Sequence, residues 1–176
     1  MSELTPECTE AMTRHVLEAT REAMRPLIQA LDLVSDDRLG EEPVPEQLSV
    51  GKMIQHALGA VAFTARSIRL GKCDESDVAD LMANDDSTGT RSRIKETEAI
   101  SQAEIESTLA ALDADMARRT IHYWFGWELT GLQSAGLGYE ELVHHRGQVQ
   151  SFLRLMGYAP PDIHAPAEAA EEAMTE

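Results

Sequence analysis

Basic residues are scarce in this chain: 15 Lys and Arg stand against 31 Asp and Glu, for a formal net charge of −16 and a pI near 4.7. A surface that tracks phosphates needs clustered cations to release counterions, so the balance excludes a nucleic-acid binder. It disfavours an anionic membrane surface for the same reason. Long apolar runs are missing too, and none approaches the ~18 residues of a transmembrane helix. The opening MSELTPECTEAMTRH has neither the basic start nor the apolar core of a signal peptide. Cysteine is limited to Cys8 and Cys73, far apart and in no CxxC motif, which excludes a disulfide scaffold and points to a reduced, cytoplasmic compartment. What is present is a 176-residue acidic protein, 43% apolar. That length suits one domain able to bury roughly two-thirds of its unfolded surface without staples.

Apolar spacing organises most of the chain into helices. Met12, Val16, Ala19, Ala23, Leu27 and Leu31 recur at helical steps and predict a first helix over about Thr9–Leu33. Pro26 should kink or split it. Ser35–Ser49, with Gly40, Pro43 and Pro45, reads as a long loop. Ser49 is a good N-cap for a second helix reaching Leu70, with Gly71 as its stop. Lys72–Thr90 is polar, with one helical turn near Val78–Met82. Ser101-Gln-Ala-Glu104 has the form of a capping box and predicts that a third helix opens there and ends near Arg119. Aromatics are few, yet four of the eight lie in Tyr123, Trp124, Phe125 and Trp127. This segment is compatible with extended, helical or mixed structure, and core or dimer interface is the favoured role for its rings, ahead of a pocket mouth. The last helix is predicted over about Gly138–Met156, stopped by Gly157 and by Pro160-Pro161. With no convincing set of strands, the expectation is an all-α antiparallel four-helix bundle with long connecting loops, one domain over residues 1–164, and an acidic flexible tail over 165–176.

The last helix carries a polar pair on its apolar line. At ~100° per residue, Glu141, Val149, Phe152 and Met156 all fall within about 40° of His145. An unpaired carboxylate at the centre of such a face would cost several kcal/mol or protonate. Two polar groups four residues apart can share one metal ion, whereas His144, with the same spacing from Glu140, points about 100° away. A Glu–His pair satisfying itself, or a buried histidine that merely hydrogen-bonds, competes evenly with the metal reading. A third ligand would decide, and the candidates are His15, His56, His122 and His164. His56 flanks the stripe of the second helix, in line with Ala60 and Phe63. The helical wheel permits it without requiring it.

Two stretches carry a family resemblance. LSVGKMIQHALGA (Leu48–Ala60) resembles a W/L-S-(V/I)-x-x-x-(I/L)-x-H pattern, and ELVHHRGQVQSFLRLMG (Glu141–Gly157) an H-x-x-x-H-R-G-Q-(I/V)-x-x-(Y/L)-L-R-x-x-G pattern. Both are similar to the DinB/YfiT-like superfamily of metal-dependent bundles, over about residues 10–160. The resemblance implies an up-down-down-up bundle, often a homodimer, with a divalent ion (Zn, Ni or Fe) on three histidines. Carried over, His56 and His145 are ligands, and Glu141 stands where the family has its middle histidine, giving a two-His-one-carboxylate set with open positions. Gln148 becomes either a hydrogen-bond donor behind the ligands or an ordinary flanking residue, Gly147 a point of close helix approach, and Arg146 and Arg154 surface ion-pair partners. The function implied is a metal-dependent hydrolase or thiol-dependent transferase acting on a small molecule, the transferase with a low-molecular-weight thiol. Both cysteines are bystanders in that scheme. The alternative is a non-catalytic dimeric scaffold or metal-binding protein working through a partner.

Overall fold

The computed structural model describes residues 4–79, 81 and 87–163. Four long helices dominate: α1 (Pro6–Leu33), α2 (Val50–Leu70), α3 (Arg91–Ala111) and α5 (Gly131–Leu155), with a short α4 (Ala114–Arg118). Hydrogen bonds and contacts between helices give their directions. Ser101 Oγ donates to Leu58 O and Thr108 Oγ1 to Ala65 O, so the pairs advance together and α3 runs parallel to α2. On α5, His145 meets His56 and Gly138 meets Thr64, so α5 is antiparallel to α2. Arg14 near the start of α1 donates to Leu109 O and Leu112 O at the far end of α3. Arg91 at the start of α3 donates to Leu31 O and Val34 O at the end of α1. Those two helices are therefore antiparallel, and the order is up-down-down-up, the arrangement implied by the resemblance.

α2 is the central element. Its buried face includes Val50, Met53, Ile54, Ala57, Leu58, Val61, Ala65 and Ile68, at helical spacing. Ser49 accepts from the Lys52 N–H, and Gly71, at φ 74°, ends the helix in the left-handed conformation that glycine adopts without steric cost. α3 starts ten residues before the expected capping box, capped instead by Thr90. Ser101 sits in mid-helix, fully buried. Its hydroxyl serves the Leu58 and Thr97 carbonyls. Asp113 breaks the line and caps α4 through the Met116 N–H. α5 likewise starts earlier than expected, at a capping box in which Thr130 and Gln133 exchange bonds.

Pro26 does not split α1, which continues through it as one helix. In the first half of α1 the buried line is Thr9, Thr13, Leu17 and Thr20, while Met12 is 43% exposed. A small sheet also appears where no convincing strands were expected. β1 (Lys72–Cys73) pairs in parallel with β2 (Thr120–Tyr123), which forms a hairpin with β3 (Glu128–Thr130). Ile121 and Tyr123 point inward and Cys73 is buried beside them. The loop over Ser35–Ser49 holds only a 3₁₀ turn at Asp36–Arg38. A second 3₁₀ turn lies at Glu75–Asp77, and part of the turn expected at Val78–Met82 lies outside the described residues, as do His164 and the predicted tail. Among the described residues no helix is long and apolar enough to cross a membrane.

Candidate metal centre

α2 and α5 cross where His56 faces Glu141 and His145. One ligand-type atom from each of the three side chains lies within 4.8 Å of the other two, in the group His56, Glu141 and His145. The His56 and His145 rings meet edge to face, with centroids 4.7 Å apart. His145 Nε2 is 3.2 Å from Glu141 Oε2, and the opposite ring nitrogen, Nδ1, is 2.7 Å from Gln148 Oε1. Burial holds the His56 imidazole below its ordinary pKa, His145 adds to the effect, and Glu141 opposes it. His56 is thereby biased toward the neutral form, the one that offers a lone pair.

The donor set fits a divalent ion. Bonds of ~2.0–2.1 Å from imidazole nitrogen and carboxylate oxygen place neighbouring ligand atoms roughly 2.8–3.4 Å apart, from octahedral to tetrahedral coordination. The observed 3.2 Å from Nε2 to Oε2 falls in that range. Two imidazoles and one carboxylate leave at least one further position for a substrate donor.

The geometry corrects one premise of the sequence reading. Glu141 is not at the centre of a buried face: its side chain is 40% exposed, against 12% for His145. The buried residues of α5 include Ala135, Gly138, Leu142, Val149 and Leu153, which centre to one side of His145. The pair occupies the edge of that stripe, open to one side. The large desolvation cost of a buried carboxylate therefore does not arise.

Residues 16–149 match the DinB superfamily. The chain belongs to the DinB superfamily. Among solved structures, a DinB-like protein of Bacillus subtilis, YjoA, is similar at 17% identity with a TM-score of 0.64, over 86% of this chain and 99% of that one. YfiT of Bacillus subtilis is similar at 16% identity with a TM-score of 0.62, over 90% and 93% of the two chains. It is described as a probable metal-dependent hydrolase with an unusual four-helix bundle topology. At these identities the likeness is one of fold. No curated protein matches the chain.

The other residues singled out in the sequence fall outside this cluster or change role within it. His15 and His144 are exposed, and His122 is exposed and pairs with Glu128 across the hairpin. Gln148 touches His145 directly. Gly147 is not a close-approach point, because a Cβ built there meets nothing within 4 Å. That role belongs to Gly138, whose added Cβ would lie 2.3 Å from Thr64 Oγ1. Among the described residues Arg146 and Arg154 form no ion pair, and Arg154 instead donates to the Gln150 carbonyl. Trp124, Phe125 and Trp127 are not core. They are 43%, 42% and 54% exposed at the hairpin tip, and only Trp124 reaches down to Phe63 on α2. Cys8 is exposed, Cys73 is buried, and neither joins the cluster. The Trp124–Phe63 contact was not legible in the sequence. The position of Phe63 on the His56 line was, and it puts the aromatic tip about 10 Å along α2 from His56.

Proposed function

We propose that this protein holds a divalent metal ion on His56, Glu141 and His145 and is a metal-dependent enzyme acting on a small molecule, as a hydrolase or a thiol-dependent transferase. The observation that carries the reading is the convergence of three ligand-type side chains from two antiparallel helices. The description of YfiT as a probable metal-dependent hydrolase supports it by likeness of fold. When bound, the ion supplies Lewis acidity toward a donor group of the substrate. His56 and His145 offer neutral nitrogens, Glu141 offsets part of the charge, and the exposed side of the Glu141 carboxylate marks the edge from which a substrate enters. A thiol, where one is used, comes from the co-substrate, since neither cysteine is at the site. The donor set accommodates Zn, Ni or Fe, with the carboxylate tilting preference toward harder ions than three histidines would.

A second reading rests on the exposed Trp124, Phe125 and Trp127. Solvent-facing aromatics in one cluster are a common mark of a protein interface, so a homodimeric or partner-binding scaffold in the cytoplasm is the alternative. Metal analysis of purified wild type beside Glu141→Ala and His145→Ala separates the first claim from its negation. Stoichiometric metal in wild type and loss in both variants is expected. Wild type without metal after loading, with variants of unchanged stability, refutes the site. Turnover of ester, amide or electrophile-plus-thiol substrates by the loaded protein then separates enzyme from scaffold.

A further inference from the structure

We infer that Gln148 is a positioning residue that determines which nitrogen of His145 is offered to the ion. The inference rests on the metal reading above and concerns a residue outside the ligand set. Gln148 lies one turn beyond His145 on α5, and its Oε1 is 2.7 Å from His145 Nδ1. An amide oxygen only accepts, so this contact is a hydrogen bond only when Nδ1 carries the proton. In the neutral ring the lone pair of His145 is then on Nε2, which faces Glu141 Oε2 at 3.2 Å. A bare nitrogen and a carboxylate oxygen are both acceptors, and at that separation they repel unless a cation lies with them. Gln148 thus selects Nε2 as the nitrogen that the neutral ring offers beside Glu141.

The opposite polarity makes the point clearer. Without the Gln148 acceptor, the proton can move to Nε2 and donate to Glu141. Glu141 and His145 then satisfy each other, and both ligand atoms are occupied. An i, i+3 pair on one helix is held by the backbone itself, so Gln148 imposes its preference before any ion arrives. Partners of this kind, bonded to the non-ligating nitrogen of a histidine, fix tautomer and ring orientation in metal sites generally.

The test compares wild type, Gln148→Leu and Gln148→Glu, all in the full chain. Zn²⁺ affinity is measured by calorimetry, and the His145 tautomer by ¹⁵N NMR on metal-free protein. Gln148 is half-buried, and thermal unfolding followed by circular dichroism confirms that each variant folds. Gln148→Leu is expected to weaken Zn²⁺ binding about 10- to 100-fold and to shift the metal-free tautomer from Nδ1–H toward Nε2–H. Gln148→Glu restores an acceptor and should return both readouts to wild-type values or tighten binding. A Leu variant with wild-type affinity and tautomer overturns the inference, and so does a folded Glu variant that rescues neither. Wild type that binds no Zn²⁺ overturns the metal reading itself, and is distinguished by appearing before any variant is compared.

Discussion

Two glycines of α5, Gly138 and Gly147, should respond to alanine with opposite signs. Both are helical residues without a positive φ, so the local backbone effect is the same: alanine is favoured over glycine by ~1 kcal/mol in a helix interior. Their surroundings differ. A Cβ at position 147 meets nothing within 4 Å, so Gly147→Ala should stabilise the protein by about 0.5–1 kcal/mol. A Cβ at position 138 would lie 2.3 Å from Thr64 Oγ1 and 3.2 Å from Thr64 Cβ, distances at which something must move. Thr64 cannot move cheaply. It is 3% exposed, its branched side chain is stiff at χ1, and its hydroxyl donates to Ala60 O and Val61 O at 2.8 and 3.0 Å. Overpacking of this kind costs about 1–3 kcal/mol against a helix gain of about 0.5–1 kcal/mol, which leaves Gly138→Ala net destabilising by up to about 2 kcal/mol.

Urea unfolding of the two single variants gives the signs directly. A Thr64→Ala change removes Oγ1, so Gly138→Ala should cost less in that background, a favourable coupling of about 1 kcal/mol in a double-mutant cycle. Recovery stays partial, because the 3.2 Å contact with the Cβ of residue 64 persists. The same strain reaches the site. Gly138 lies one turn before Glu141 and Thr64 two turns after His56, so forcing α2 and α5 apart separates the proposed ligands. Zn²⁺ affinity should fall in Gly138→Ala and hold in Gly147→Ala. Stabilisation of Gly138→Ala to the same extent as Gly147→Ala would refute the packing argument.

Thr90→Ala should cost about 1 kcal/mol, the worth of an N-cap, because α3 begins at that residue. A neutral result by urea titration would place the start of the helix elsewhere. Arg119→Ala should cost about 1–3 kcal/mol, since the guanidinium donates to Ile68 O and Arg69 O, at 2.5 and 2.7 Å, over the otherwise open end of α2. Hydrogen exchange should then quicken in the last turn of α2 while its centre stays protected; uniform exchange along α2 would contradict a local capping role.

The parts of the fold that escaped sequence reading share one chemistry. Hydrophobic periodicity found α2 and the second half of α5 because their inward faces are Val, Ile, Leu, Met and Phe. It missed the first half of α3 because the buried line there is Ile94, Thr97, Ser101, Ile105 and Thr108. It chose the wrong face for the start of α1, where the inward residues include Thr9, Thr13 and Thr20. These residues read as polar, yet each is buried with its hydroxyl satisfied. Thr9, Thr13, Thr20, Thr97 and Ser101 donate to the carbonyl four residues back, while Ser101 and Thr108 also reach carbonyls of α2. A satisfied hydroxyl carries little burial cost, and its small side chain lets helices approach closely. Ser101 misled for this reason: its hydroxyl serves packing, and the Glu104 that completes the apparent capping box pairs with Arg66 and Arg69 on α2. The start of α5 was legible in principle, since Thr130-Gly-Leu-Gln133 has the capping-box form, but the aromatic segment just before it is compatible with extended, helical or mixed structure, and the start was expected only near Gly138.

The candidate cluster was legible in the sequence for a reason the structure partly reverses. Glu141 drew attention as a charge that did not belong on an apolar face. Its carboxylate in fact lies at the edge of that face, 40% exposed, where it costs little. What makes the position informative is its neighbour. His145 is held from one side by Gln148 and faced on the other by Glu141, so the ring has an acceptor against each nitrogen and only one proton to offer while neutral. A surface Glu–His pair without Gln148 satisfies itself, and a His–Gln pair without Glu141 does the same. Only the three together leave one acceptor too many, and His56, also biased toward a bare lone pair, adds another. With the ring neutral, that excess of acceptors around one point suits a cation, and this geometry stands beside the match to the DinB superfamily in support of the metal reading.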